Sequence, residues 1–316
     1  MDGKFQEMKI IAGNSNRILA KEIAELLDIP LTNATMETFS DGEISVNVNE
    51  SVRGDDVYVI QSTSDPVNNN LMELLIIIDA MKRASAGRIN AVIPYYGYGR
   101  QDRKAKSRDP ITAKLVADLI TVAGADRVIT MDLHATQIQG FFNMPVDHLL
   151  GLPILAEYFN KMNLPDLVVV SPDAGSVPRS RKLGERLDAP LAIIDKRRPK
   201  ANVSEVMHII GDIKDKNCIL MDDMIDTAGT ICNGANALKK LGAKNVYAVC
   251  THGIFSGPAI ERLQATEIKE VVALNTIQIS KEKQMNNLKV ISVGSIFAKA
   301  IDRVHKGKSL SKLFDD

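Results

Sequence analysis

Two kinds of apolar pattern alternate along the chain. Short runs of mostly β-branched residues are apolar at successive positions, as strands buried on both faces should be. Longer segments carry apolar residues every three or four positions, which is the period of an amphipathic helix. The predicted strands are residues 9–12, 56–61, 88–94, 127–131, 167–171, 191–194, 218–221, 246–251 and 270–274. The predicted helices are residues 15–27, 71–84, 113–123, 179–187 and 230–241. Strands that alternate with helices favour an α/β fold with mainly parallel sheets.

The chain also contains an internal repeat. Shifted by 160 residues, residues 21–31 fall on residues 181–191, and five of these eleven positions are identical. The same shift places the predicted strand at 56–61 on residues 216–221. Two matches at one offset predict a duplicated α/β domain, and a Gly-Leu-Pro sequence that begins at Gly151 marks the break between the copies. The expected domains are residues 1–150 and 151–316.

The composition narrows the class of protein. Apolar residues make up 45% of the 316 residues and charged residues 25%, which is ordinary for a globular protein and excludes a disordered chain. Lys and Arg together number 39, as do Asp and Glu, so the chain has no net positive charge to attract nucleic acid or an anionic membrane. We therefore expect no nucleic-acid and no membrane partner. Zero net charge also leaves little repulsion against self-association.

The cysteines and the apolar runs bear on the compartment. Cys218, Cys232 and Cys250 offer neither a disulfide framework nor the spacing of a CxxC metal site, and buried free thiols fit a reducing compartment. The longest apolar run, residues 74–78, is far shorter than the about 20 residues of a membrane span. The N-terminus has no apolar core of a secretory signal. We predict a cytoplasmic protein.

The strongest chemical signal lies at residues 218–230, where an apolar run leads to two acids and then to a turn of small residues. In open parallel sheets, ligands bind beyond the carboxyl ends of the strands. A small-residue turn that opens a helix exposes backbone N–H groups, which can hold a phosphate group. The carboxylates of Asp222 and Asp223 suit the vicinal hydroxyls of a sugar, because these hydroxyls need acceptors. The predicted phosphate turn comprises Asp226, Thr227, Ala228, Gly229 and Thr230.

Together the acid pair and the turn predict a ribose 5-phosphate site. The other reading of this segment is a capped helix preceded by solvated acids. In the first half, the matching strand leads instead to Gln61, Ser62 and Thr63. We therefore place the sugar site in the second half and expect the first half to be a scaffold or regulatory copy.

The segment resembles the phosphoribosyl-pyrophosphate motif of phosphoribosyltransferases, and the other motifs narrow the resemblance to the ribose-phosphate pyrophosphokinase family. These motifs span essentially the whole chain and lie at residues 39–43, 95–104, 131–134, 137–142, 171–175, 195–198 and 309–314. The resemblance implies two tandem phosphoribosyltransferase-like domains, and it allows the last helix to pack back on the first of them. It also implies that the anomeric hydroxyl of ribose 5-phosphate attacks the β-phosphorus of ATP, with Mg²⁺ as cofactor. The products would be 5-phosphoribosyl 1-diphosphate and AMP.

The resemblance assigns ATP to residues of the first domain. In the family, the segment that contains Phe39, Asp41 and Glu43 reaches an adenine bound by a neighbouring subunit, so a homo-oligomer, a hexamer in the family, becomes part of the function. On the sequence alone, the same residues also fit a tight turn at the end of a strand.

A Gly/Tyr-rich segment at residues 95–104 would close over ATP, as it does in the family. Gly97 and Gly99 favour a mobile loop, although an ordinary solvated basic loop fits the same sequence. Gly99 stands where alanine is common in the family, which should loosen the loop. The nucleotide-binding positions match Arg100, Gln101, Asp102 and His134.

Two residues match family positions near the metal, His134 and Asp173. A histidine is an unusual ligand for Mg²⁺, which prefers oxygen, and lone histidines are often structural. Asp173 opens a turn with Ala174 and Gly175 that could offer backbone N–H groups to a diphosphate. The family usually continues this turn with a second glycine where this chain has Ser176. If that position requires a positive φ, Ser176 is strained by about 1 kcal/mol.

Two further segments gain a role through the resemblance. Alternation along an extended chain puts Lys196 and Arg198 on one face, and the matching residues are catalytic in the family. A solvated basic turn is the other reading of that segment. Near the C-terminus, Ser309, Ser311 and Phe314 match a stretch linked to a regulatory site for ADP and inorganic phosphate, or they form a mobile tail.

Three other functions share parts of this pattern. An ordinary phosphoribosyltransferase has the motif at residues 222–230, but it does not explain the duplicated domain or the motifs at 95–104 and 196–198. A non-catalytic regulatory subunit would have lost charged residues that this chain keeps. A transcription regulator built on a phosphoribosyltransferase domain would need a basic face for DNA.

Overall fold

The computed structural model describes residues 5–197 and 206–313. By its internal contacts the chain divides into two units. The first unit holds the described residues up to Leu150, the segment Thr276–Gln278, and the described residues from Ser292 onwards. The second holds the described part of Gly151–Asn275 and the segment Ile279–Ile291.

A five-stranded parallel sheet forms the centre of the first unit, in the order β1-β4-β5-β6-β7. Strands β2 and β3 form a separate antiparallel hairpin. The strands are β1 (Met8–Ala12), β2 (Ala34–Thr38), β3 (Ile44–Val48), β4 (Asp56–Ile60), β5 (Arg88–Ile93), β6 (Arg127–Met131) and β7 (Val146–Leu149). The helices are α1 (Arg17–Leu26), α2 (Val67–Arg83), α3 (Thr112–Ala123) and the last helix of the chain, α8 (Gly294–His305), which packs against α1.

The second unit contains a seven-stranded sheet in the order β10-β9-β8-β11-β12-β13-β14, in which β10 is antiparallel to its neighbour and the other pairs are parallel. The strands are β8 (Leu167–Ser171), β9 (Leu191–Arg197), β10 (Val206–Ile210), β11 (Asn217–Ile225), β12 (Asn245–Gly253), β13 (Ile268–Leu274) and β14 (Leu288–Ile291). The helices are α4 (Leu152–Met162), α5 (Val177–Arg186), α6 (Gly229–Lys240) and α7 (Ala259–Gln264).

The two units repeat one topology. The order β1-β4-β5-β6-β7 of the first sheet corresponds to β8-β11-β12-β13-β14 of the second, element by element along the chain. Helix α1 begins at Arg17 and α5 at Val177, which is 160 residues later, the offset found in the sequence. The prediction of two duplicated α/β domains with mainly parallel sheets flanked by helices is confirmed.

The apolar runs became strands because both of their faces are covered. All five residues of β4 are buried, and so are four of the five residues of β8. In β11, the buried residues Cys218, Ile219 and Leu220 belong to the central strand of the second core. The predicted strand at 218–221 is longer in the structure, since β11 continues to Ile225. The acid pair therefore lies within the last part of the strand.

Seven elements were not predicted: β2, β3, β7, β10, β14, α4 and α7. Gly151, the predicted break between the copies, is the first residue of the second unit and directly precedes α4. Gly151 is its N-cap residue, and Pro153 lies in its first turn. Proline is tolerated there because the first N–H groups of a helix have no partner within the helix.

Candidate functional site

The acid pair lies in the last part of β11, which pairs with β12 but no longer with β8. Pairing of β11 with β8 ends at Leu220, whereas pairing with β12 continues to Ile225. Asp222 and Asp223 thus follow the last paired residue on the β8 side, at the carboxyl end of a central parallel strand. Asp223 is only 3% exposed, and Asp222 is partly exposed. Ligands of open α/β sheets bind at this position.

Burial and mutual repulsion act on the acid pair. Burial, followed by the negative charge of Asp223, raises the pKa of Asp222 to about 7. A hydrogen bond from Ser176 and the positive charge of Arg179 act in the opposite direction. Arg179 also forms an ion pair with Asp223, with Nη1 3.4 Å from Oδ1. The charge of Asp223 thus opposes ionisation of Asp222, and Arg179 offsets part of this repulsion.

The shape of the turn after β11 is set by its own backbone conformation and by contacts from Ser256 and Arg262. Ala228, the N-cap residue of α6, has φ 60° and ψ 3°, in the left-handed region. Ser256 donates a side-chain hydrogen bond to the Asp226 carboxylate, and its N–H donates to the Asp226 carbonyl at 3.0 Å. Arg262 Nη1 donates to the carbonyl of Thr227 at 3.0 Å. A left-handed residue before a helix N-terminus turns successive N–H groups towards one point, which suits an anion such as phosphate.

A second turn follows the neighbouring strand β8. The Ser171 hydroxyl donates to the Asp173 carbonyl at 2.7 Å, and the Ser176 N–H donates to Asp173 Oδ1 at 2.9 Å. Ala174 and Gly175 are exposed at the tip. The turn is thus closed around Asp173, and its exposed tip lies after a strand that pairs directly with β11.

The strain expected at Ser176 is absent. Its φ is −87° and its ψ −3°, in the right-handed helical region that every L-residue adopts easily. The condition for strain, a positive φ at this position, is not met. Instead, the Ser176 hydroxyl donates to Asp222 Oδ1 at 2.8 Å. Neither this contact nor the ion pair between Arg179 and Asp223 could be predicted, because each joins residues more than forty positions apart in the sequence.

The predicted catalytic pair is only partly within the described residues. Lys196 belongs to β9, where it pairs with Met207 of β10, so the extended chain expected at this position is present. Strand β9 lies beside β8 in the sheet. Arg198 lies outside the described residues.

The predicted adenine-binding residues occupy the tip of the β2–β3 hairpin. The Phe39 N–H donates to the Glu43 carbonyl at 2.8 Å, and the Glu43 N–H donates to Asp41 Oδ1 at 3.1 Å. Gly42 has φ 95°, which favours glycine. The tight turn proposed from the sequence is therefore present, and it leaves the side chain of Phe39 56% exposed.

The glycines of the 95–104 segment are required by close packing. The Gly97 N–H donates to Thr63 Oγ1 at 2.6 Å, and a Cβ at Gly97 would lie 2.2 Å from the Thr63 carbonyl oxygen. A Cβ at Gly99 would lie 3.2 Å from the Tyr96 carbonyl oxygen, so alanine would fit tightly there. These two glycines are buried, and the exposed part of the segment begins at Arg100. Their presence does not by itself indicate a mobile loop.

The structure brings the predicted nucleotide residues of the first unit together. A Cβ at Gly99, next to Arg100, would lie 3.7 Å from the Cβ of His134. Asp102 Oδ2 accepts a hydrogen bond from Gln137 Nε2 at 2.9 Å. Gln101 Oε1 accepts one from the Thr112 hydroxyl at 2.5 Å. Gln101 is thus attached to the first turn of α3, and Asp102 to the segment that follows His134.

His134 is exposed just beyond the carboxyl end of β6. The N–H of the preceding residue, Leu133, donates to Nε2 of His148 at 2.8 Å. This bond requires Nε2 of His148 to be unprotonated. His148 on β7 is therefore a second histidine that helps to fix the His134 segment, and the sequence analysis did not single it out.

The donor set for a metal is sparse. Within residues 5–197 and 206–313, no group of three or more His, Cys, Asp or Glu side chains is placed to hold a metal ion. Mg²⁺ keeps most of its waters in proteins and takes one or two carboxylates together with substrate phosphates. The Asp173 carboxylate provides an oxygen ligand of the right kind, whereas the imidazole of His134 does not.

The predicted regulatory residues follow α8. The hydroxyls of Ser309 and Ser311 lie 2.8 Å apart, and Arg303 Nε donates to the Ser309 carbonyl at 2.5 Å. Phe314 lies outside the described residues. Both serines are exposed or partly exposed, so they are open to a ligand, but they are anchored to the end of α8.

None of the helices in the described part of the chain combines the length and the apolar character needed to cross a bilayer.

Comparison with known proteins identifies the family. Residues 8–124 match the model of the N-terminal domain of ribose phosphate pyrophosphokinase, and residues 197–315 match that of the phosphoribosyl synthetase-associated domain. The chain is 67% identical to the ribose-phosphate pyrophosphokinase of Clostridium perfringens over 100% of both chains, and 60% identical to that of Bacillus subtilis over 98% of both. The crystal structure of phosphoribosylpyrophosphate synthetase from Mycobacterium smegmatis superposes with a TM-score of 0.91 at 44% identity, covering 96% of this chain and 100% of that one. The chain belongs to the ribose-phosphate pyrophosphokinase family and is, by that membership, an enzyme that transfers a diphosphate group.

Proposed function

We propose that this chain makes 5-phosphoribosyl 1-diphosphate and AMP from ATP and ribose 5-phosphate, with its own residues in the roles described below. The observation that carries the proposal is the acid pair of β11 followed by the left-handed turn at Ala228. Acceptors for sugar hydroxyls and a cradle for a phosphate group lie a few residues apart at one strand end.

Ribose 5-phosphate is assigned to the second unit. Asp222 and Asp223 accept hydrogen bonds from the vicinal hydroxyls of the ribose. The 5-phosphate group accepts hydrogen bonds from the backbone N–H groups of the turn. This turn comprises Asp226, Thr227, Ala228, Gly229 and Thr230. Its shape is supported by Ser256 and Arg262, which hold its carbonyl groups and the Asp226 carboxylate.

The diphosphoryl group is assigned to the turn after β8 and to two cations. Asp173, Ala174 and Gly175 form the turn, whose tip is exposed. Lys196 and Arg198 neutralise the charge of the diphosphoryl group during its transfer. Transfer of a phosphoryl or diphosphoryl group depends on positioning and electrostatic stabilisation, and it needs no covalent catalyst.

ATP is assigned to residues of the first unit. Arg100, Gln101, Asp102 and His134 would contact the nucleotide, and the exposed Phe39 with Asp41 and Glu43 would meet the adenine in a neighbouring subunit. An exposed aromatic side chain at a hairpin tip suits a stacking contact with a purine.

Mg²⁺ would enter with ATP and would be held mainly by phosphate oxygens, with Asp173 as the protein ligand of suitable chemistry and His134 in a secondary role. When bound, the ion neutralises charge on the phosphates. The role of the chain itself is to bind and orient the two substrates and to keep competing water from the reacting atoms.

Regulation and assembly complete the proposal. ADP and inorganic phosphate would bind at the C-terminal segment that contains Ser309, Ser311 and Phe314. The protein would act in the cytoplasm as a homo-oligomer, a hexamer by analogy with the family, without nucleic acid or membrane partners.

Product analysis tests the proposal. The purified protein is incubated with ATP, Mg²⁺ and inorganic phosphate, with and without ribose 5-phosphate, and the nucleotides are resolved. AMP that forms only with the sugar, in step with 5-phosphoribosyl 1-diphosphate, is the expected result. ADP as the product would mean transfer of a single phosphoryl group, and no turnover would favour a regulatory subunit.

A further inference from the structure

Ser176 links the proposed diphosphate turn to the proposed sugar site. Its backbone N–H donates to Asp173 Oδ1 at 2.9 Å, and its hydroxyl donates to Asp222 Oδ1 at 2.8 Å. Asp173 belongs to the turn after β8, and Asp222 belongs to the acid pair of the neighbouring strand β11. One residue therefore ties the two strand ends together.

The ordinary explanations for a serine at a helix start do not fit. Serine is common at an N-cap because its side chain accepts a hydrogen bond from the first turn. Ser176 is the N-cap residue of α5, but its side chain makes no such capping bond. Ser176 is not a solvated surface residue either, because it is only 5% exposed. Its hydroxyl is instead directed at a carboxylate on another strand.

The carboxylate that Ser176 contacts is held in a defined orientation. Asp222 Oδ1 accepts from the Ser176 hydroxyl and also from the backbone N–H of Asp223, at 2.9 Å. Two donors on one oxygen fix the plane of the carboxyl group. Arg179, one turn further along α5, holds Asp223 in a similar way. The first turn of α5 thus orients both acids.

We propose that Ser176 is a positioning residue for ribose 5-phosphate. Its hydroxyl fixes the orientation of the Asp222 carboxylate, so that this carboxylate can accept a hydrogen bond from a sugar hydroxyl. The inference rests on the proposed function for the identity of the sugar. It adds to that proposal a residue outside the acid pair and the phosphate turn. It also predicts a specific pattern of effects, since the hydroxyl of Ser176 contacts Asp222, whereas its contact with Asp173 is made by the backbone N–H, which the variants keep.

The experiment compares three variants. Ser176→Ala removes the hydroxyl, and Ser176→Gly serves as a second variant because φ −87° at an N-cap suits glycine as well. Ser180→Ala is the matched control. Ser180 lies on the same helix and is fully buried, and within the described residues its hydroxyl has no hydrogen-bond partner. All three variants remove one buried hydroxyl from α5 or its cap.

Two measurements separate the possible outcomes. Calorimetric titration with ribose 5-phosphate alone gives its Kd, and steady-state assays with ATP give KM and kcat. In Ser176→Ala and Ser176→Gly, we expect the Kd and KM for ribose 5-phosphate to rise about tenfold, as for loss of a hydrogen bond to a charged group. The KM for ATP and kcat should stay within about twofold of the wild type, because the lost interaction is the same in ground and transition states. Ser180→Ala should behave as the wild type.

The inference is overturned if the Kd for ribose 5-phosphate is unchanged in both Ser176 variants. It is also overturned if Ser180→Ala raises that Kd as much, since any lost hydroxyl would then act through the helix. Wild-type protein that binds the sugar but forms no AMP would contradict only the proposed function. Wild-type protein that does not bind the sugar would contradict both.

Discussion

At the scale of single residues, the raised pKa of Asp222 has a consequence for substrate binding. A carboxylate accepts hydrogen bonds from two sugar hydroxyls better than a neutral carboxyl group does. Because burial and Asp223 raise the pKa of Asp222 to about 7, the ionised form is lost as the pH falls through that value. Ser176 and Arg179 face the same carboxyl group and limit the shift. We expect the Kd for ribose 5-phosphate to rise as the pH is lowered from 8 to 6, measured by calorimetry.

The phosphate group of the sugar also titrates near pH 6, so the measurement needs a control. Asp222→Asn keeps a hydrogen-bonding group of the same shape and removes the carboxyl group. Its affinity should be weaker at pH 8, and the pH dependence that remains should be that of the sugar phosphate alone. Equal pH profiles for the wild type and Asp222→Asn would contradict the role of Asp222.

Lys196 provides a second prediction at this scale. Lys196→Ala should lower kcat by about 10³-fold, because a cation that stabilises charge in the transition state is worth several kcal/mol. Lys182→Ala is the control, since Lys182 is an exposed lysine of α5. Both variants should keep the wild-type circular dichroism and melting temperature. A near-normal kcat in Lys196→Ala would remove Lys196 from the mechanism.

At the scale of elements, the sequence predicts best those segments whose pattern is set by burial. The central strands β4, β8 and β11 are apolar because both faces are covered, so their pattern is visible in the sequence. Short strands such as β7 and β14, with four residues each, carry too little pattern to be seen. Helix α4 was missed because a glycine is its N-cap residue and a proline lies in its first turn, and these residues mark a break as readily as a helix start.

The same distinction applies to the site. The acid pair and the phosphate turn were visible because they lie in one continuous segment that ends in a helix. The hydrogen bond from Ser176 to Asp222 was not visible, since it depends on the pairing of β8 with β11. The glycines of the 95–104 segment favoured a mobile loop. Gly97 is instead required by packing, because a Cβ there would collide with the backbone of Thr63. Contacts between strands that are distant in sequence require the fold to be known.

The strand end of the first unit that corresponds to the acid pair is filled by the chain's own side chains. Gln61, which follows β4, is fully buried, and its Nε2 donates to Glu73 Oε1 at 2.8 Å. Glu73 also accepts from the backbone N–H of Asn14 at 2.6 Å. The Ser15 N–H donates to Gln61 Oε1 at 3.0 Å. The turn after β1, which corresponds to the proposed diphosphate turn after β8, therefore already has a carboxylate and an amide as partners.

This network predicts a structural role for Glu73. Glu73→Ala would leave the buried amide of Gln61 and the partly buried backbone N–H of Asn14 without their carboxylate acceptor, at a cost of about 2–4 kcal/mol in the free energy of unfolding. Glu25→Ala, at an exposed position of α1, should change that free energy by less than about 0.5 kcal/mol. Urea denaturation measures both. The Kd for ribose 5-phosphate should remain at the wild-type value in each variant, and a large change in Glu73→Ala would contradict the assignment of the sugar to the second unit.

At the scale of the whole molecule, duplication of the topology raises the question of how many sugar sites one chain holds. The two sheets share one strand order, so the fold alone would allow a site in each unit. The residues at the corresponding strand ends differ, however. β11 leads to Asp222, Asp223 and a left-handed phosphate turn, whereas β4 leads to Gln61, which is already bonded to Glu73.

One ribose 5-phosphate per chain is therefore expected. Calorimetric titration at fixed protein concentration gives the stoichiometry directly, and Lys196→Ala can be used with ATP present because slow turnover leaves the sugar intact during the measurement. The double variant Asp222→Asn with Asp223→Asn is the control, since it alters only the site of the second unit. Loss of measurable sugar binding in that variant would place the one site there. A stoichiometry of two, or binding that survives in the double variant, would mean that the first unit accepts the sugar despite the network of Gln61 and Glu73. The two units would then both bind ribose 5-phosphate and would differ only in their affinity for it. The shared topology would suffice for recognition of the sugar, although the strand-end residues differ.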